Sequence, residues 1–199
     1  MSATDSLAAS LKQLRTFFDE RGWKYCLIGG LAANRWGEAR FTRDIDIVLL
    51  TGIGGEDLFV DQLLANFSSR MDPTGAKEFA LQNRVLLLRS DAGTPIDISL
   101  GALPFEEEML RRATPATIVA GQAFPVAEAE DLIVMKTIAG RPRDWQHIEG
   151  IIAVQLDKLN WKYIHQWLGP LLEAMEYPER TDELDRLRRR IENEKRNNL

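Results

Sequence analysis

Two aspartates, separated by one residue, stand at the start of an apolar segment in the first quarter of the chain. Asp44 and Asp46 alternate with Ile45 and Ile47, and apolar residues continue to Leu50. In a β-strand, alternate side chains project from one face, so both carboxylates point one way and both isoleucines the other. Aspartate is disfavoured in strands, and neighbouring carboxylates repel unless a cation lies between them. Because Mg²⁺ prefers oxygen ligands, the pattern predicts that Asp44 and Asp46 hold Mg²⁺ or Mn²⁺; the simpler alternative is a strand end with solvated acids.

A third aspartate, Asp97, lies in the later apolar segment TPIDISL, for which we expect a strand over residues 96–100. If that strand lies beside the strand at residues 44–50, the three carboxylates converge at one place. Metal ions held there can activate both the attacking and the leaving oxygen in phosphoryl chemistry. Taken alone, Asp97 is an ordinary acid in a strand.

A glycine pair, Gly29 and Gly30, stands between a short apolar strand expected over residues 23–28 and a short helix expected over residues 31–36. Glycine allows backbone N–H groups to approach a ligand closely, and the N-terminus of a helix favours anions. The pair therefore predicts a cradle for phosphate groups near the aspartates. The alternative is a tight turn from strand to helix with a structural role alone.

Three polar residues, Arg40, Thr42 and Arg43, come shortly before the first aspartate. A cation at this place can hold a phosphate group of a substrate, and we assign that role to Arg43. The arginines can equally pair with Asp44 or face water.

Together these segments resemble the signature of the nucleotidyltransferase superfamily related to DNA polymerase beta. The signature is an apolar residue and a glycine pair, a spacer, and then two acids that alternate with apolar residues. Here it consists of Ile28–Gly30, thirteen residues, and Asp44–Ile47. The resemblance implies an α/β fold of the α+β type, with a mixed β-sheet and flanking helices. One position departs from the pattern, since Gly30 stands where other members carry serine and offers no hydroxyl group.

The resemblance also implies a reaction and a set of roles. The reaction is transfer of a nucleoside monophosphate from an NTP, such as ATP, to an acceptor hydroxyl with the help of Mg²⁺ or Mn²⁺. Asp44, Asp46 and Asp97 would be the catalytic metal ligands. Gly29 and Gly30 would bind the phosphates of the nucleotide.

A later segment, residues 129–148, resembles the bacterial minimal nucleotidyltransferases, including the AbiEii-type toxin group. In that group a helix that carries a lysine is followed by Ala-x-Arg-x-x-Asp, and Lys136, Ala139, Arg141 and Asp144 match this pattern. By this resemblance, Lys136 would reach the triphosphate, the acceptor would be RNA (a tRNA 3′ end) or a protein hydroxyl, and an antitoxin protein would be a partner. Other members modify small antibiotics. From the residues alone, Lys136 can reach solvent from an apolar helix, and Arg141 and Asp144 can pair with each other or brace the helices.

The pattern of apolar residues predicts an α/β core over residues 1–127 and a helical region over residues 128–199. Within the core we expect a helix at 5–21 that begins at Asp5 or Ser6, a helix around residues 58–67, paired strands at 85–88 and 96–100, and a strand or hairpin at 118–126 with Gly121 in its turn. Within the helical region we expect helices at 132–138 and 145–154, a helix from residue 161 that breaks at Gly169–Pro170, and a solvated helix with many acid–base pairs at 179–196.

Composition limits the classes of protein to which this chain can belong. The chain has 199 residues, of which 45% are hydrophobic, and a net charge of −5. It therefore has no overall positive field for nucleic acid, and an RNA contact would need a local patch such as Arg188–Arg190. The single cysteine, Cys26, excludes a disulfide framework. We expect no signal peptide, no membrane span and a cytoplasmic location.

Two other functions are alternatives to nucleotidyl transfer. Phosphohydrolases of the haloacid dehalogenase type also carry two alternating aspartates, but there the acids end a buried strand. Here residues 38–43, before the acids, are too polar for a buried strand, and the apolar run follows the acids. The other alternative is a non-catalytic protein of the same fold that binds a nucleotide or a partner; the presence of all three aspartates argues against it.

Overall fold

The computed structural model describes residues 2–37, 41–119 and 122–197. The chain divides into two compact units, the first formed by Met1–Leu31 with Phe41–Ala127 and the second by Ala32–Arg40 with Glu128–Leu199. Arg40, for which a phosphate contact was one of the alternatives, and Gly121, predicted in a hairpin turn, lie outside the described residues.

The described part of the first unit contains a seven-stranded mixed β-sheet. In chain order its strands are β1 (Tyr25–Leu27), β2 (Ile45–Leu50), β3 (Ser68–Ser69), β4 (Val85–Arg89), β5 (Pro95–Gly101), β6 (Thr114–Val119) and β7 (Gln122–Val126). Their order across the sheet is β3-β4-β5-β2-β1-β7-β6. The β2–β5 and β1–β7 pairs are parallel, and the remaining pairs are antiparallel. The mixed sheet expected from the sequence is therefore confirmed.

Alternation of apolar and polar residues in β2 and β5 determines which face of these strands is buried. Ile45 and Ile47 of β2, like Ile96 and Ile98 of β5, have no exposed surface. Because side chains alternate along a strand, the residues between them project from the opposite face. The two strands thus anchor one face in the core and present their acidic residues on the other.

The described residues of the first unit contain the helices α1 (Ala3–Asp19), α3 (Glu56–Asn66), α4 (Pro73–Asn83) and α5 (Pro104–Arg112), and the first residues of α2 (Gly29–Trp36), whose later residues belong to the second unit. Helices α4 and α5 and strand β3 were not predicted from the sequence. Helix α1 begins earlier than predicted. Ser2 Oγ accepts from Asp5 N at 3.1 Å and the Asp5 carboxylate accepts from Ser2 N at 3.0 Å, so this reciprocal cap begins α1 at Ala3.

The second unit is helical where it is described after residue 128. Its helices are α6 (Ala129–Ala139), α7 (Pro142–Gln155), a 3₁₀ turn (Leu156–Lys158), α8 (Trp161–Ala174) and α9 (Glu179–Asn197). Across residues 2–37, 41–119 and 122–197, no helix has both the length and the apolar character needed to cross a membrane.

The expected break at Gly169–Pro170 is wrong, because α8 continues through Pro170 to Ala174. A proline inside a helix removes one hydrogen bond and costs about 3 kcal/mol. Packing offsets that cost here, since Ile164, Leu168 and Leu172 lie four residues apart and are fully buried. A break at residue 169 would separate Leu172 from the buried face that it forms with Ile164 and Leu168.

A buried cluster of hydroxyl groups joins α1 to the turn between β4 and β5. Ser10 Oγ lies 2.6 Å from Ser90 Oγ and 2.8 Å from Thr94 Oγ1, and it donates to the Ser6 carbonyl at 2.7 Å. Ser10, Ser90 and Thr94 are all buried. Each hydroxyl group therefore depends on the others for hydrogen bonds that water does not supply.

We predict that Ser10→Ala lowers the free energy of unfolding by about 1–3 kcal/mol, because it leaves the Ser90 and Thr94 hydroxyl groups short of a buried partner. Thr16→Ala is the matched control, since Thr16 is exposed on the same helix. Chemical denaturation of both variants measures the difference. Equal stability of the two variants would show that the cluster does not stabilise the fold.

Candidate active site

Asp46 and Asp97 lie side by side because β2 and β5 pair in parallel with these two residues in register. Neighbouring strands are about 4.8 Å apart, so the two carboxylates start from adjacent positions on one face of the sheet. The strand that carries Asp97 is thus beside the strand that carries Asp46, as the hypothesis of a shared site requires. Asp44 is exposed immediately before β2, and its charge acts on Asp97.

The glycine pair lies directly against the Asp46 carboxylate. Gly30 N donates to Asp46 Oδ2 at 3.4 Å. Gly29 has a positive φ of +63°, and a Cβ atom there would lie 1.9 Å from Asp46 Oδ2. A Cβ atom at Gly30 would lie 2.8 Å from Thr42 Oγ1. The helix α2 begins at Gly29, earlier than expected, and its first turn is close to the acid because neither glycine has a side chain.

Asp97 forms an ion pair with Arg70, a residue that the sequence analysis did not assign to the site. Arg70 Nη2 donates to Asp97 Oδ1, and both side chains are partly exposed. Arg70 lies just after β3, outside any motif. Only the arrangement of strands brings it to Asp97, so no local signal in the sequence could have found it.

The pKa of Asp97 is raised above its ordinary value. Burial of the carboxyl group is the largest cause, the Arg70 guanidinium acts in the opposite direction, and the Asp44 carboxylate adds to the increase. The last effect is repulsion between two negative charges. A cation bound between Asp44 and Asp97 would remove that repulsion.

The donor set suits a hard divalent cation, because Asp44, Asp46 and Asp97 offer carboxylate oxygens alone. The side-chain positions do not gather into a ligand set: within the described part of the chain, no three His, Cys, Asp or Glu residues form a group that could hold a metal ion. Asp97 contacts Arg70, and Asp46 contacts the first turn of α2. Metal binding by all three would therefore require these side chains to move from the positions described here.

The two remaining candidates from the sequence lie in different surroundings. Arg43 is exposed, and its guanidinium carbon lies 5.2 Å from the centroid of the Phe41 ring. Lys136 belongs to α6 in the second unit and is only 8% exposed. It does not extend into solvent, because burial on the apolar helix encloses it. The assignment of Arg43 and Lys136 to nucleotide binding stays a prediction.

Lys136 and Asp144 form a buried ion pair within the second unit, and the exposed Arg141 also pairs with Asp144. The Lys136 Nζ atom lies 3.5 Å from Asp144 Oδ1, and Arg141 Nε donates to Asp144 Oδ2 at 2.6 Å. The pairing of Arg141 with Asp144, one of the alternatives raised by the sequence, is confirmed. Burial raises the pKa of Asp144, but the Arg141 hydrogen bond and the Lys136 charge outweigh it and hold the pKa below its ordinary value.

A cavity of about 740 Å³ lies in the first unit, away from the candidate residues. Leu50, the last residue of β2, lines it together with Trp23, Tyr25 and Phe124. Asp44 precedes the other end of the same strand. The cavity therefore does not include the aspartates of the candidate site.

No family model matches the chain, and no curated protein matches it. Solved structures do match. One is an antigenic nucleotidyltransferase-like protein from Paracoccidioides brasiliensis, with a TM-score of 0.52 and 17% identity over 94% of this chain and 93% of that chain. Another is a solution structure of the antibiotic-resistance factor ANT(2'')-Ia, with a TM-score of 0.53 and 14% identity over 90% of this chain and 98% of that chain. These likenesses extend over nearly the whole chain and concern the fold; neither bears on the predicted closeness to the AbiEii-type group.

We predict that Gly29→Ala destabilises the protein more than Gly22→Ala does. Both glycines have nearly the same positive φ, and an added Cβ atom at Gly22 meets nothing within 4 Å. Both variants incur the cost of a left-handed backbone, about 1–2 kcal/mol. Gly29→Ala adds the collision with Asp46, which we expect to cost about 1–3 kcal/mol more. Denaturation curves measure the difference, and equal losses would contradict the close approach.

We predict that Asp144→Asn lowers the free energy of unfolding by about 3–5 kcal/mol at neutral pH, because it removes a carboxylate from the buried Lys136 ammonium. Asp157→Asn is the control, since the Asp157–Lys195 ion pair is exposed. The folded-state pKa of Asp144 is depressed. Its contribution is thus present above the ordinary aspartate pKa and is lost as pH falls below about 4. Denaturation between pH 7 and pH 3 should show the wild-type advantage shrinking; a constant advantage would refute the assignment.

Proposed function

We propose that this chain, which has the nucleotidyltransferase fold, transfers a nucleoside monophosphate from an NTP to an acceptor hydroxyl. The observation that carries the proposal is the register of β2 and β5, which places Asp46 beside Asp97. The start of α2 at Gly29 lies against the same carboxylate. Acids that can hold metal and a helix N-terminus that can hold phosphate are thus neighbours within the first unit.

The reaction in this proposal forms one bond and breaks another. The acceptor oxygen bonds to the α-phosphorus, and the bond from that phosphorus to the bridging oxygen breaks, so that pyrophosphate leaves with the electron pair. The Asp97 carboxylate takes the hydroxyl proton. The N–H groups at Gly29 and Gly30 would bind the β- and γ-phosphates, for which Gly30 N would turn from Asp46 Oδ2 to the phosphate.

Asp44, Asp46 and Asp97 would hold Mg²⁺ or Mn²⁺ in this proposal. A metal ion held there would neutralise negative charge on the reacting phosphate oxygens. Arg43 would add positive charge for the triphosphate and the leaving pyrophosphate. The assignment of Lys136, which belongs to the second unit and pairs there with Asp144, stays a prediction.

Three classes of acceptor follow from different arguments. The resemblance to AbiEii-type toxins favours RNA, such as a tRNA 3′ end, or a protein hydroxyl as the acceptor. With either acceptor, the resemblance also favours an antitoxin protein as a partner and a cytoplasmic location. The likeness in fold to the antibiotic-resistance factor, which extends over 98% of that chain, favours a small molecule as the acceptor. We assign residues 1–127 to the catalytic core and residues 128–199 to the helical region that would select the acceptor. A non-catalytic nucleotide-binding protein is the alternative to all three.

We predict that Asp46→Asn and Asp97→Asn each reduce transfer by about 100-fold or more, because each removes a negative charge needed for metal binding or proton removal. The assay uses α-labelled NTPs and Mg²⁺ with total RNA, soluble protein or aminoglycosides as separate acceptors. Asp61→Asn, an exposed aspartate in an ion pair with Lys77, is the matched control.

Label in RNA, in protein or in a small molecule would identify the acceptor class. NTP binding without label in any arm would support the non-catalytic alternative. Undiminished transfer in either aspartate variant would overturn the proposed site.

A further inference from the structure

Arg70 occupies one end of a row of residues that crosses four neighbouring segments of the sheet. Arg70 N donates to the Leu87 carbonyl at 3.0 Å, Leu87 is in register with Asp97, and Asp97 is in register with Asp46. Residues in register project from the same face of a sheet. The Arg70 side chain therefore reaches over Leu87 to Asp97 on the face that carries the candidate site.

The guanidinium of Arg70 uses only part of its binding capacity. The Nε and Nη2 groups of an arginine lie on one edge and match two oxygens of a carboxylate or phosphate. Here Nη2 donates to Asp97 Oδ1, whereas Nε is buried and no described residue accepts a hydrogen bond from it. Asp97 thus satisfies one of the two donors on this edge. The edge is shaped for an anion that can accept both hydrogen bonds.

In the proposed reaction, Asp97 also binds a metal ion and accepts a proton. Either role weakens its ion pair with Arg70. Arg70 would then present both donors on this edge. In the row across the sheet, Asp97 separates Arg70 from Asp46, and the glycine start of α2 lies against Asp46. An anion on Arg70 would therefore lie on the other side of Asp97 from a triphosphate on the glycine pair.

We propose that the Nε–Nη2 edge of Arg70 binds a phosphate group of the acceptor, next to the hydroxyl that receives the nucleotide. This inference rests on the proposed nucleotidyl transfer and narrows its acceptor to compounds that carry phosphate. Arginine is the side chain best matched to bidentate phosphate binding. Two sources have this chemistry, the phosphodiester of an oligonucleotide 3′ end and a phosphorylated small molecule.

The first experiment compares acceptors with and without a phosphate. Wild type, Arg70→Gln and Arg70→Lys are assayed for kcat/KM with adenosine, adenosine 5′-monophosphate and a dinucleoside monophosphate. We expect wild type to favour the phosphate-bearing acceptors by about 10- to 100-fold. Arg70→Gln should abolish that preference, and Arg70→Lys should restore part of it through charge without the two-donor edge. The KM for the NTP should not change.

Arg89→Gln is the matched control, because Arg89 is an exposed arginine of the adjacent strand β4 that donates to the Gly93 carbonyl. It should keep the full preference for phosphate. Preference for the dinucleotide alone would identify a nucleic-acid end, and equal use of both phosphate-bearing compounds would identify a small acceptor. A preference that survives in Arg70→Gln, or its absence in wild type, would overturn the inference.

The second experiment separates this inference from the proposed function, because it measures binding without metal or NTP. Asp97→Asn removes the negative partner of Arg70 and should tighten binding of a fluorescent trinucleotide or of inorganic phosphate by about tenfold. Asp97→Asn combined with Arg70→Gln should lose that gain. Thermal unfolding confirms that each variant is folded.

Tighter binding that depends on Arg70, together with no transfer, would leave the phosphate site standing and refute the proposed reaction. Transfer that continues while Arg70 affects neither binding nor acceptor preference would refute the phosphate site alone.

Discussion

The pairing of β2 with β5 is the constraint on which the candidate site depends. It places two carboxylates, Asp46 and Asp97, in register on neighbouring strands. The isoleucines of both strands fix that register, because a slip by one residue would bring buried apolar side chains to the polar face. The protein therefore cannot relieve the repulsion between the acids by sliding its strands. Other parts of the protein must therefore bring positive charge or hydrogen-bond donors to these two carboxylates.

Each acid meets a different donor. Arg70 reaches Asp97 from the edge of the sheet, and the first turn of α2 approaches Asp46 because Gly29 and Gly30 carry no side chains. A buried aspartate in the second unit meets the same requirement, since Lys136 and Arg141 both contact Asp144. Burial raises the pKa of a carboxyl group, and nearby cations lower it. For Asp144 the cations outweigh burial, whereas for Asp97 burial and a neighbouring acid outweigh Arg70. The pKa values of the two carboxyl groups are thus shifted in opposite directions.

The parts of the fold that could be predicted were those with a local signal. Alternating apolar residues marked β2 and β5, and the glycine pair marked the start of α2. The sequence does carry signals for α4 and α5. Each helix begins with a proline at its first position, and Asp72 caps α4. The end of α8 could not be read locally, because packing overrides Pro170. Arg70 could not be found at all from sequence, because its nearness to Asp97 follows from the order of three strands.

The same reasoning explains why the fold alone does not determine the acceptor. Structures that share this fold at 14–17% identity need to preserve buried strands and the packing around them. The residues that would choose an acceptor lie on the polar face and can vary without cost to the core. Arg70 is such a residue: its backbone continues the sheet, while its side chain is free to match whatever anion the site requires. Asp97 balances the charge of Arg70 but accepts a hydrogen bond from only one of its two donors, Nη2. An acceptor phosphate would accept hydrogen bonds from both Nε and Nη2. A single arginine on the polar face can in this way give a shared fold a preference for a particular substrate.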